Sequence, residues 1–359
     1  MPDTHHRRRE ALRRHVEQRD ADGALVTSLV NIRYLTGFTG SNAALLVTQA
    51  GAVLATDGRY VTQAQQQSPD VELVVERACA QALVALAGEN RLRRLAFESH
   101  VVSVESHREL LGVADVPELI DLEHAVEALR VVKDDSEVAL LREACAISDR
   151  ALAETLDTIA PGQTEREVAL RLESCMVELG ADAPAFESIV ATGSNSAIPH
   201  HRPTGREIER GDLLKIDFGA LYQGYHADCT RTLLVGREPE AWQKEIYDVV
   251  RAAQRAGRHA LAVDADVRDV DAAARAVVTE AGYGEQFPHG LGHGVGLEIH
   301  EAPLLGYQAT GRLAARTPLT VEPGVYLPGR GGVRIEDTLV VGDGAPELLT
   351  TTPKDLLVL

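Results

Sequence analysis

The sequence predicts an α/β domain over residues 1–130, followed by an α+β domain over residues 131–359. Three observations support this. The chain has 359 residues, which is the length of two ordinary domains. Short apolar runs alternate with helical patterns in the first part, whereas strand-like runs bracket long helical patterns in the second. A polar segment in the low 130s separates the two patterns.

Short apolar runs in the amino-terminal part, bounded by Gly, Asn and Asp, predict strands at residues 24–29, 43–48, 52–56, 71–75 and 95–97. Helical spacing between them predicts helices at residues 60–67, 80–86 and 104–111. This alternation favours a largely parallel sheet with helices packed against it. No GxGxxG motif follows the first run, so nothing here indicates a bound nucleotide.

The carboxy-terminal part begins with helical patterns at residues 137–159 and 166–179. We expect Ser136 or Asp135 to cap the first of these helices. Two apolar runs, 212–222 and 225–235, are joined by Gln223-Gly224 and predict a hairpin. The remaining elements are expected to be helices at 239–262 and 267–281 and strands at 319–327 and 332–341. Together they favour curved antiparallel sheet with helices on one side.

Composition and charge exclude several classes of protein. The formal net charge of −18 argues against binding to a phosphate backbone, which needs a basic surface. The four cysteines form no CxxC pair, which indicates a reducing compartment. There is no signal-peptide pattern and no run of 18 apolar residues. We therefore expect a cytoplasmic protein that binds neither nucleic acid nor a membrane.

Two aspartates lie in the arms of the predicted hairpin. Asp217 and Asp228 are flanked by apolar residues, and the turn at Gln223-Gly224 brings their strands together. Buried carboxylates repel, and each costs several kcal/mol unless positive charge is supplied. A bound cation would supply it, and pairing with Lys215 or Arg231 is the alternative.

Two glutamates and a histidine-rich segment complete a candidate site. Glu322 and Glu336 lie in strand-like apolar stretches, and three histidines fall within residues 289–301, where four glycines alternate. Four carboxylates and an imidazole suit hard or borderline divalent ions. A pair of such ions activates water and polarises a carbonyl, which is hydrolytic chemistry. No GxSxG or HExxH motif supports a serine hydrolase or a thermolysin-type enzyme.

The segment HGLGHGVGLEIHE, residues 289–301, resembles the signature of the Xaa-Pro peptidases at all thirteen positions. This family comprises prolidase and aminopeptidase P and has the "pita-bread" catalytic fold. Four further blocks follow the family's order: IDFG at 216–219, DCTRT at 228–232, VEPG at 321–324 and RIED at 334–337. Residues 31–38 and 56–60 resemble the creatinase-type N-terminal domain. The resemblance implies that domain, followed by a pita-bread domain.

The resemblance also implies a site with two divalent metal ions, manganese first, with cobalt, iron or zinc as alternatives. The implied ligands are Asp217, Asp228, His293, Glu322 and Glu336, of which Asp228 and Glu336 bridge the ions. No ligand position departs from the family pattern, which favours an active metalloenzyme.

Further roles follow from the same resemblance. Glu322 is the expected proton shuttle, and His300 is expected to stabilise the tetrahedral intermediate. His200 is the expected substrate contact, although His201 follows it directly. Arg334 is expected to orient the site.

The implied reaction is metal-dependent hydrolysis of the bond before proline, in peptides with proline at the second position. The sequence leaves open whether the enzyme is a dipeptidase or an aminopeptidase, and the family implies a homodimer. Two other functions remain: a non-catalytic peptide- or partner-binding protein on this fold, and a creatinase-like amidinohydrolase that needs no metal.

Overall fold

The computed structural model describes residues 2–359, with side chains from residue 4 onward. Clustering of contacts divides the chain into an amino-terminal unit that ends at Arg130 and a carboxy-terminal unit, Val131–Leu359. Within the described residues, no helix is both long enough and apolar enough to cross a bilayer.

The amino-terminal unit is a six-stranded sheet with helices. Its helices are α1 (Pro2–Gln18), α2 (Leu29–Thr36), α3 (Val61–Gln67), α4 (Cys79–Glu89), α5 (Val104–Leu111) and α6 (Ala125–Arg130). Its strands are β1 (Gly23–Val26), β2 (Ala43–Thr48), β3 (Ala52–Thr56), β4 (Glu72–Val75), β5 (Arg94–Phe97) and β6 (Glu118–Asp121). The sheet order is β4-β3-β2-β1-β5-β6.

This sheet is mixed, so the expectation of a largely parallel sheet is only partly correct. Strand β1 pairs with β5, β5 with β6 and β3 with β4 in parallel, whereas β2 is antiparallel to both β1 and β3. Only residues 49–51 separate β2 from β3, and a parallel crossover needs a dozen or more residues. The sequence run at 24–29 also ends early as a strand, because Ser28 caps helix α2 by accepting a hydrogen bond from the backbone N–H of Asn31.

The carboxy-terminal unit confirms the α+β prediction. Its helices are α7 (Asp135–Leu156), α8 (Glu165–Glu178), α9 (Ala241–Ala260) and α10 (Val267–Glu280). Its strands are β7 (Ala183–Pro184), β8 (Ile189–Thr192), β9 (Leu213–Phe218), β10 (Ala220–Tyr222), β11 (Tyr225–His226), β12 (Cys229–Leu234), β13 (Gly292–Gly294), β14 (Glu301–Leu305), β15 (Pro318–Val321), β16 (Gly324–Leu327), β17 (Gly331–Arg334), β18 (Asp337–Val340) and β19 (Glu347–Leu348). Four small antiparallel sheets result: β11-β10-β7, β12-β9-β8, β14-β13-β15-β18-β19 and β16-β17.

The N-cap of helix α7 lies one residue before Asp135, the nearer of the two predicted caps. Asp134 is its N-cap and accepts hydrogen bonds from the backbone N–H groups of Ser136 and Glu137 at 2.9 and 3.0 Å. The Glu137 carboxylate accepts in return from the Asp134 N–H at 2.9 Å. This reciprocal capping box excludes Ser136 and Asp135 as caps, so that prediction is wrong.

The two strands predicted at 319–327 and 332–341 are each broken in the middle. Strand β15 stops before Glu322, and β16 begins after Pro323, which has no N–H for a continuing ladder. Strand β17 stops before Ile335-Glu336, where the Glu336 N–H donates to the Thr230 carbonyl at 3.0 Å. Each break falls at one of the two candidate glutamates.

The aspartate hairpin depends on a glycine. Strands β9 and β12 pair with Asp217 opposite Thr230. Between β9 and β10, a Cβ atom at Gly219 would lie 1.8 Å from the carbonyl oxygen of Ala227, just before Asp228. The close approach of these backbones therefore requires glycine.

Gly219→Ala should lower the free energy of unfolding of the full-length protein by about 1–3 kcal/mol, because the added methyl group forces the hairpin apart. Thermal and urea unfolding of purified variants measure the effect. Gly205→Ala is the matched control, because no atom lies within 4 Å of a Cβ at that position. Equal stability of the two variants would contradict the steric argument.

Candidate active site

All eight predicted site residues line one cavity of about 270 Å³ in the carboxy-terminal unit. They are Asp217, Asp228, His293, Glu322, Glu336, His200, His300 and Arg334. The cavity also has three apolar residues, Phe186, Ile189 and Ile299, in its walls. The structure thus brings together residues that are up to 136 positions apart in the chain.

Strands and strand ends position the acidic side chains. Asp217 lies on β9, and Asp228 immediately precedes β12. His293 lies in β13, where the pairing with β14 shifts register. Glu322 and Glu336 occupy the two strand breaks. Because the chain leaves one sheet and enters another at each break, these glutamates lie at the junction of the sheets.

Three of these residues are grouped most tightly. Asp228, His293 and Glu336 each place one potential ligand atom within 4.8 Å of the others, and all three are buried. The His293 Nε2 atom lies 3.5 Å from an oxygen of Asp228 and 3.5 Å from an oxygen of Glu322. The cluster therefore has the donor types and the proximity that a divalent ion needs.

The tautomer of His293 favours metal coordination. Its Nδ1 atom lies 3.0 Å from the carbonyl oxygen of Gly294, which can only accept, so Nδ1 holds the proton. Burial lowers the pKa of His293 to about 4, which makes the ring neutral near pH 7. The lone pair of Nε2 consequently faces the oxygens of Asp228 and Glu322. The Nε2 lone pair and these oxygens repel one another, whereas a cation bound between them would attract all of them.

Two buried oxygens in the site have no hydrogen-bond partner among the described residues. They are Oδ1 of Asp217 and Oε1 of Glu336. The second oxygen of each carboxylate is bound: Oδ2 of Asp217 contacts Arg334, and Oε2 of Glu336 accepts from the Thr230 hydroxyl at 2.7 Å. Buried polar atoms are rarely left unpaired, so these oxygens fit the ligand positions of a metal centre.

The electrostatics of the site also indicate missing positive charge. Burial, with repulsion from neighbouring carboxylates, holds the pKa values of Asp228 and Glu336 well above their ordinary values. Burial is also the main cause that raises the pKa of Glu322 to about 8. A cation bound among these carboxyl groups would favour their ionised forms.

Arg334 is the guanidinium that pairs with this acidic cluster. It forms an ion pair with Asp217 and donates to the Tyr326 hydroxyl at 2.9 Å and to the Thr230 hydroxyl at 3.1 Å. Its side chain is almost fully buried. These bonds fix the orientation of Asp217 and, through Thr230, that of Glu336.

The two cations that the sequence suggested as partners of the aspartates lie elsewhere. Lys215 donates to the Ile198 carbonyl at 2.6 Å, which ties down the segment that leads to His200. Arg231 pairs with Asp337 at 2.8 Å. The alternative that Lys215 or Arg231 neutralises the aspartate hairpin is therefore wrong.

Sequence reasoning missed Tyr326, which links Arg334 to His289. The Nδ1–H group of His289 donates to the Gly290 carbonyl at 2.9 Å, and its Nε2 atom lies 2.9 Å from the Tyr326 hydroxyl. Because Tyr326 accepts from Arg334, its own proton points to His289. His289 thus supports the pocket and is absent from the tight group of potential ligands.

The adjacent histidines His200 and His201 have different surroundings. His201 is buried, and its Nε2 atom lies 2.8 Å from the carboxylate of Glu165, which also accepts from the Thr204 hydroxyl at 2.6 Å. His200 is exposed at the cavity. Glu165 was not singled out from the sequence, since its partners come from distant segments.

A second buried pair organises the segment before His300. Lys133 donates to Glu301 at 2.6 Å, and the other carboxylate oxygen of Glu301 accepts from the Glu298 N–H at 3.1 Å. His300 itself is exposed, and its ring centroid lies 4.4 Å from that of His293. The loop therefore holds an accessible imidazole beside the acidic cluster.

Two protein-family models match this chain. The model of metallopeptidase family M24 matches residues 139–343, and that of the creatinase/prolidase N-terminal domain matches residues 8–132. The chain belongs to metallopeptidase family M24. The resemblance and the pita-bread fold class inferred from the sequence are thereby confirmed, and family membership implies divalent metal ions.

Three relatives of this M24 peptidase extend over nearly the whole chain. The Xaa-Pro dipeptidase from Bacillus anthracis is 40% identical, with a TM-score of 0.96 over 99% of this chain and 100% of that one. The X-Pro aminopeptidase from Thermotoga maritima is 35% identical, with a TM-score of 0.90 and coverage of 98% and 99%. An Xaa-Pro dipeptidase from Pyrococcus horikoshii is 35% identical over 343 residues, or 95% of this chain and 96% of that one.

The metal-free protein should become less stable as pH rises from 5 to 8. Asp228, Glu322 and Glu336 have folded-state pKa values above their unfolded ones, so the folded chain binds more protons in this window and loses stability as they dissociate. Divalent ions favour the ionised carboxylates. The increase in Tm on adding Mn²⁺ should therefore be larger at pH 8 than at pH 6.

Calorimetry of chelator-treated protein, with and without Mn²⁺ at both pH values, measures this difference. Glu336→Gln should reduce the pH dependence, whereas Glu178→Gln, an exposed carboxylate outside the site, should leave it unchanged. A Tm increase that is the same at pH 6 and pH 8 in the unsubstituted protein would contradict the assignment of the missing charge.

Proposed function

We propose that this M24 peptidase hydrolyses the bond between an amino-terminal residue and a following proline, with Xaa-Pro dipeptides as its preferred substrates. The observation that supports this most directly is the acidic cavity around His293, in which unpaired carboxylate oxygens and an imidazole lone pair converge. The named relatives are Xaa-Pro dipeptidases and an X-Pro aminopeptidase.

Two divalent ions, with manganese first and cobalt, iron or zinc as alternatives, are proposed to be held by Asp217, Asp228, His293, Glu322 and Glu336. By the family resemblance, Asp228 and Glu336 would be the ligands shared by both ions. Both belong to the tightest group of potential ligands, and Glu336 has a free buried oxygen. When bound, such ions supply Lewis-acid activation of water and of the scissile carbonyl. Four carboxylates facing one guanidinium have enough excess negative charge to attract them.

The proposed proton shuttle is Glu322. Its carboxylate lies 3.5 Å from His293 Nε2 on one side and 4.0 Å from Arg334 Nε on the other. In the proposed reaction Glu322 takes a proton from the attacking water and delivers it to the departing proline nitrogen.

His300 and His200 are proposed to contact the substrate. Both line the cavity and are exposed, so their ring nitrogens are accessible to a bound peptide. An N–H group of His300 would donate to the carbonyl oxygen as negative charge develops there. Arg334 is proposed to act through Asp217 and Tyr326 by orienting the acidic side chains.

The cavity offers an apolar surface and one accessible guanidinium. Phe186, Ile189 and Ile299 can pack against a pyrrolidine ring. Arg202 is a lining residue with an 84% exposed side chain, 3.3 Å from a Glu187 oxygen. A volume of about 270 Å³ is near the lower limit of roughly 300 Å³ for small-molecule sites, which favours a short substrate. We propose that Arg202 binds the carboxylate of an Xaa-Pro dipeptide.

A metal-replacement assay tests the reaction. Chelator-treated enzyme supplied with Mn²⁺ or Co²⁺ should cleave Ala-Pro and spare Ala-Ala, with Ala-Pro-Ala cut more slowly. Chelated enzyme should lose more than about 100-fold in rate, because several kcal/mol of charge stabilisation is removed. Folded protein that binds ions and cleaves none of the peptides would support a binding protein. Hydrolysis of creatine without metal would support the amidinohydrolase.

Arg202→Ala should raise KM for Ala-Pro about tenfold with little change in kcat, because a charged hydrogen bond to the substrate carboxylate is lost. KM for Ala-Pro amide, which has no terminal carboxylate, should not change. Arg202→Lys should restore part of the loss, and Arg171→Ala, a control outside the cavity, should behave like the unsubstituted enzyme. If Arg202→Ala raised KM equally for Ala-Pro and Ala-Pro amide, the proposed role of Arg202 in selecting substrate length would be overturned.

A further inference from the structure

A second group of potential metal ligands lies in the amino-terminal unit. His100, His124 and Glu127 each place one ligand atom within 4.8 Å of the other two. The Nε2 atom of His100 lies 3.0 Å from Oε1 of Glu127, and the rings of His100 and His124 have centroids 3.9 Å apart. These residues belong to none of the sequence motifs described above, and the proposed peptidase reaction does not use them.

The carboxylate of Glu127 is oriented by a buried network. The side-chain amide of Asn31 donates to Glu127 Oε1 at 2.7 Å and to Glu98 at 2.6 Å. Arg130 donates to the Asn31 amide oxygen at 2.8 Å and so fixes which way this amide faces. Ligating groups in metal sites are commonly held in this way by hydrogen bonds from behind.

The remaining oxygen of Glu127 is available. Oε2 is buried and has no hydrogen-bond partner among the described side chains. Burial alone would raise the pKa of Glu127, but hydrogen bonds from Asn31 and His100 lower it below its ordinary value. Glu127 is therefore an anion near pH 7, with one oxygen held by Asn31 and His100 and the other without a hydrogen-bond partner.

His124 is positioned by strained backbone. Glu123 and His124 have φ angles of 54° and 53°, so two consecutive residues with side chains adopt the left-handed region. Each such residue costs about 1–2 kcal/mol. The Glu123 N–H donates to the Asp121 carboxylate at 3.0 Å, which stabilises the turn between β6 and α6. The outcome is that His124 packs against His100.

We propose that His100, His124 and Glu127 form a binding site for one divalent transition-metal ion, such as Co²⁺, Ni²⁺ or Zn²⁺. Two imidazoles and a carboxylate suit these borderline ions better than Ca²⁺ or Mg²⁺. The exposed sides of the histidines leave room for water to complete the coordination. The ion would join the loop after β5 to the turn before α6 and to α6 itself, and it is independent of the proposed peptidase centre.

Metal counting on the full-length protein tests this site with Co²⁺ as the probe. After chelator treatment, competition with a chromogenic chelator gives the number of Co²⁺ equivalents bound. His124→Ala should bind one equivalent fewer than the unsubstituted chain. His6→Ala is the matched control, because exposed His6 faces one carboxylate, that of Glu10 at 3.6 Å. Because the result is a difference in Co²⁺ equivalents between variants, ions bound at the peptidase centre contribute equally to both counts and do not affect it.

The variant His124→Cys should give a spectroscopic signal of metal binding at this site. A thiolate at this position should retain the lost equivalent and give a sulfur-to-cobalt charge-transfer absorption, which the buried native cysteines do not produce. His124→Ala should keep its peptidase activity at saturating metal. The proposal is overturned if His124→Ala binds as many equivalents as the unsubstituted chain, or if His124→Cys gives no such absorption. Either result would mean that His100 and Glu127 form a hydrogen bond but, with His124, do not bind a metal ion.

Discussion

The repulsion among four clustered carboxylates, three of them buried, is the constraint around which the carboxy-terminal unit is arranged. Each of these groups would cost several kcal/mol if left ionised and unpaired. The chain relieves part of that cost with Arg334, which contacts Asp217 and connects through Thr230 to Glu336. The repulsion that Arg334 does not relieve is seen in two buried carboxylate oxygens without hydrogen-bond partners and in the raised pKa values of three carboxyl groups. This unbalanced negative charge is what makes the cavity suitable for a cation.

Outer layers of polar groups keep this inner arrangement in place. Arg231 and Lys354 both pair with Asp337 at 2.8 Å, next to Glu336, and so anchor the end of the strand break. Tyr326 joins Arg334 to His289 on another side. Removing one of these supports would leave a buried charge unpaired, even where the support touches no substrate.

The site also depends on irregular backbone, not on regular sheet. Glu322 and Glu336 lie where strands stop, and Gly219 lets the strand of Asp228 pass close to that of Asp217. A continuous strand would alternate its side chains between two faces and could not direct all of these groups into one cavity. The amino-terminal unit uses a comparable device, since a left-handed turn places His124 on His100.

The sequence by itself determined the fold class and the residues that now line one cavity. Carboxylates inside apolar runs and histidines among alternating glycines are unusual enough to identify, whereas His200 and Arg334 followed only from the family resemblance. It also gave the bounds of strands β2 and β3 and of helix α5, where local pattern is sufficient. Only the tertiary structure decided which cation meets Asp217, which of His200 and His201 has an exposed ring at the cavity, and where the long strands break. Those outcomes depend on contacts between segments 36 to 117 residues apart in the chain, and no local pattern encodes such contacts.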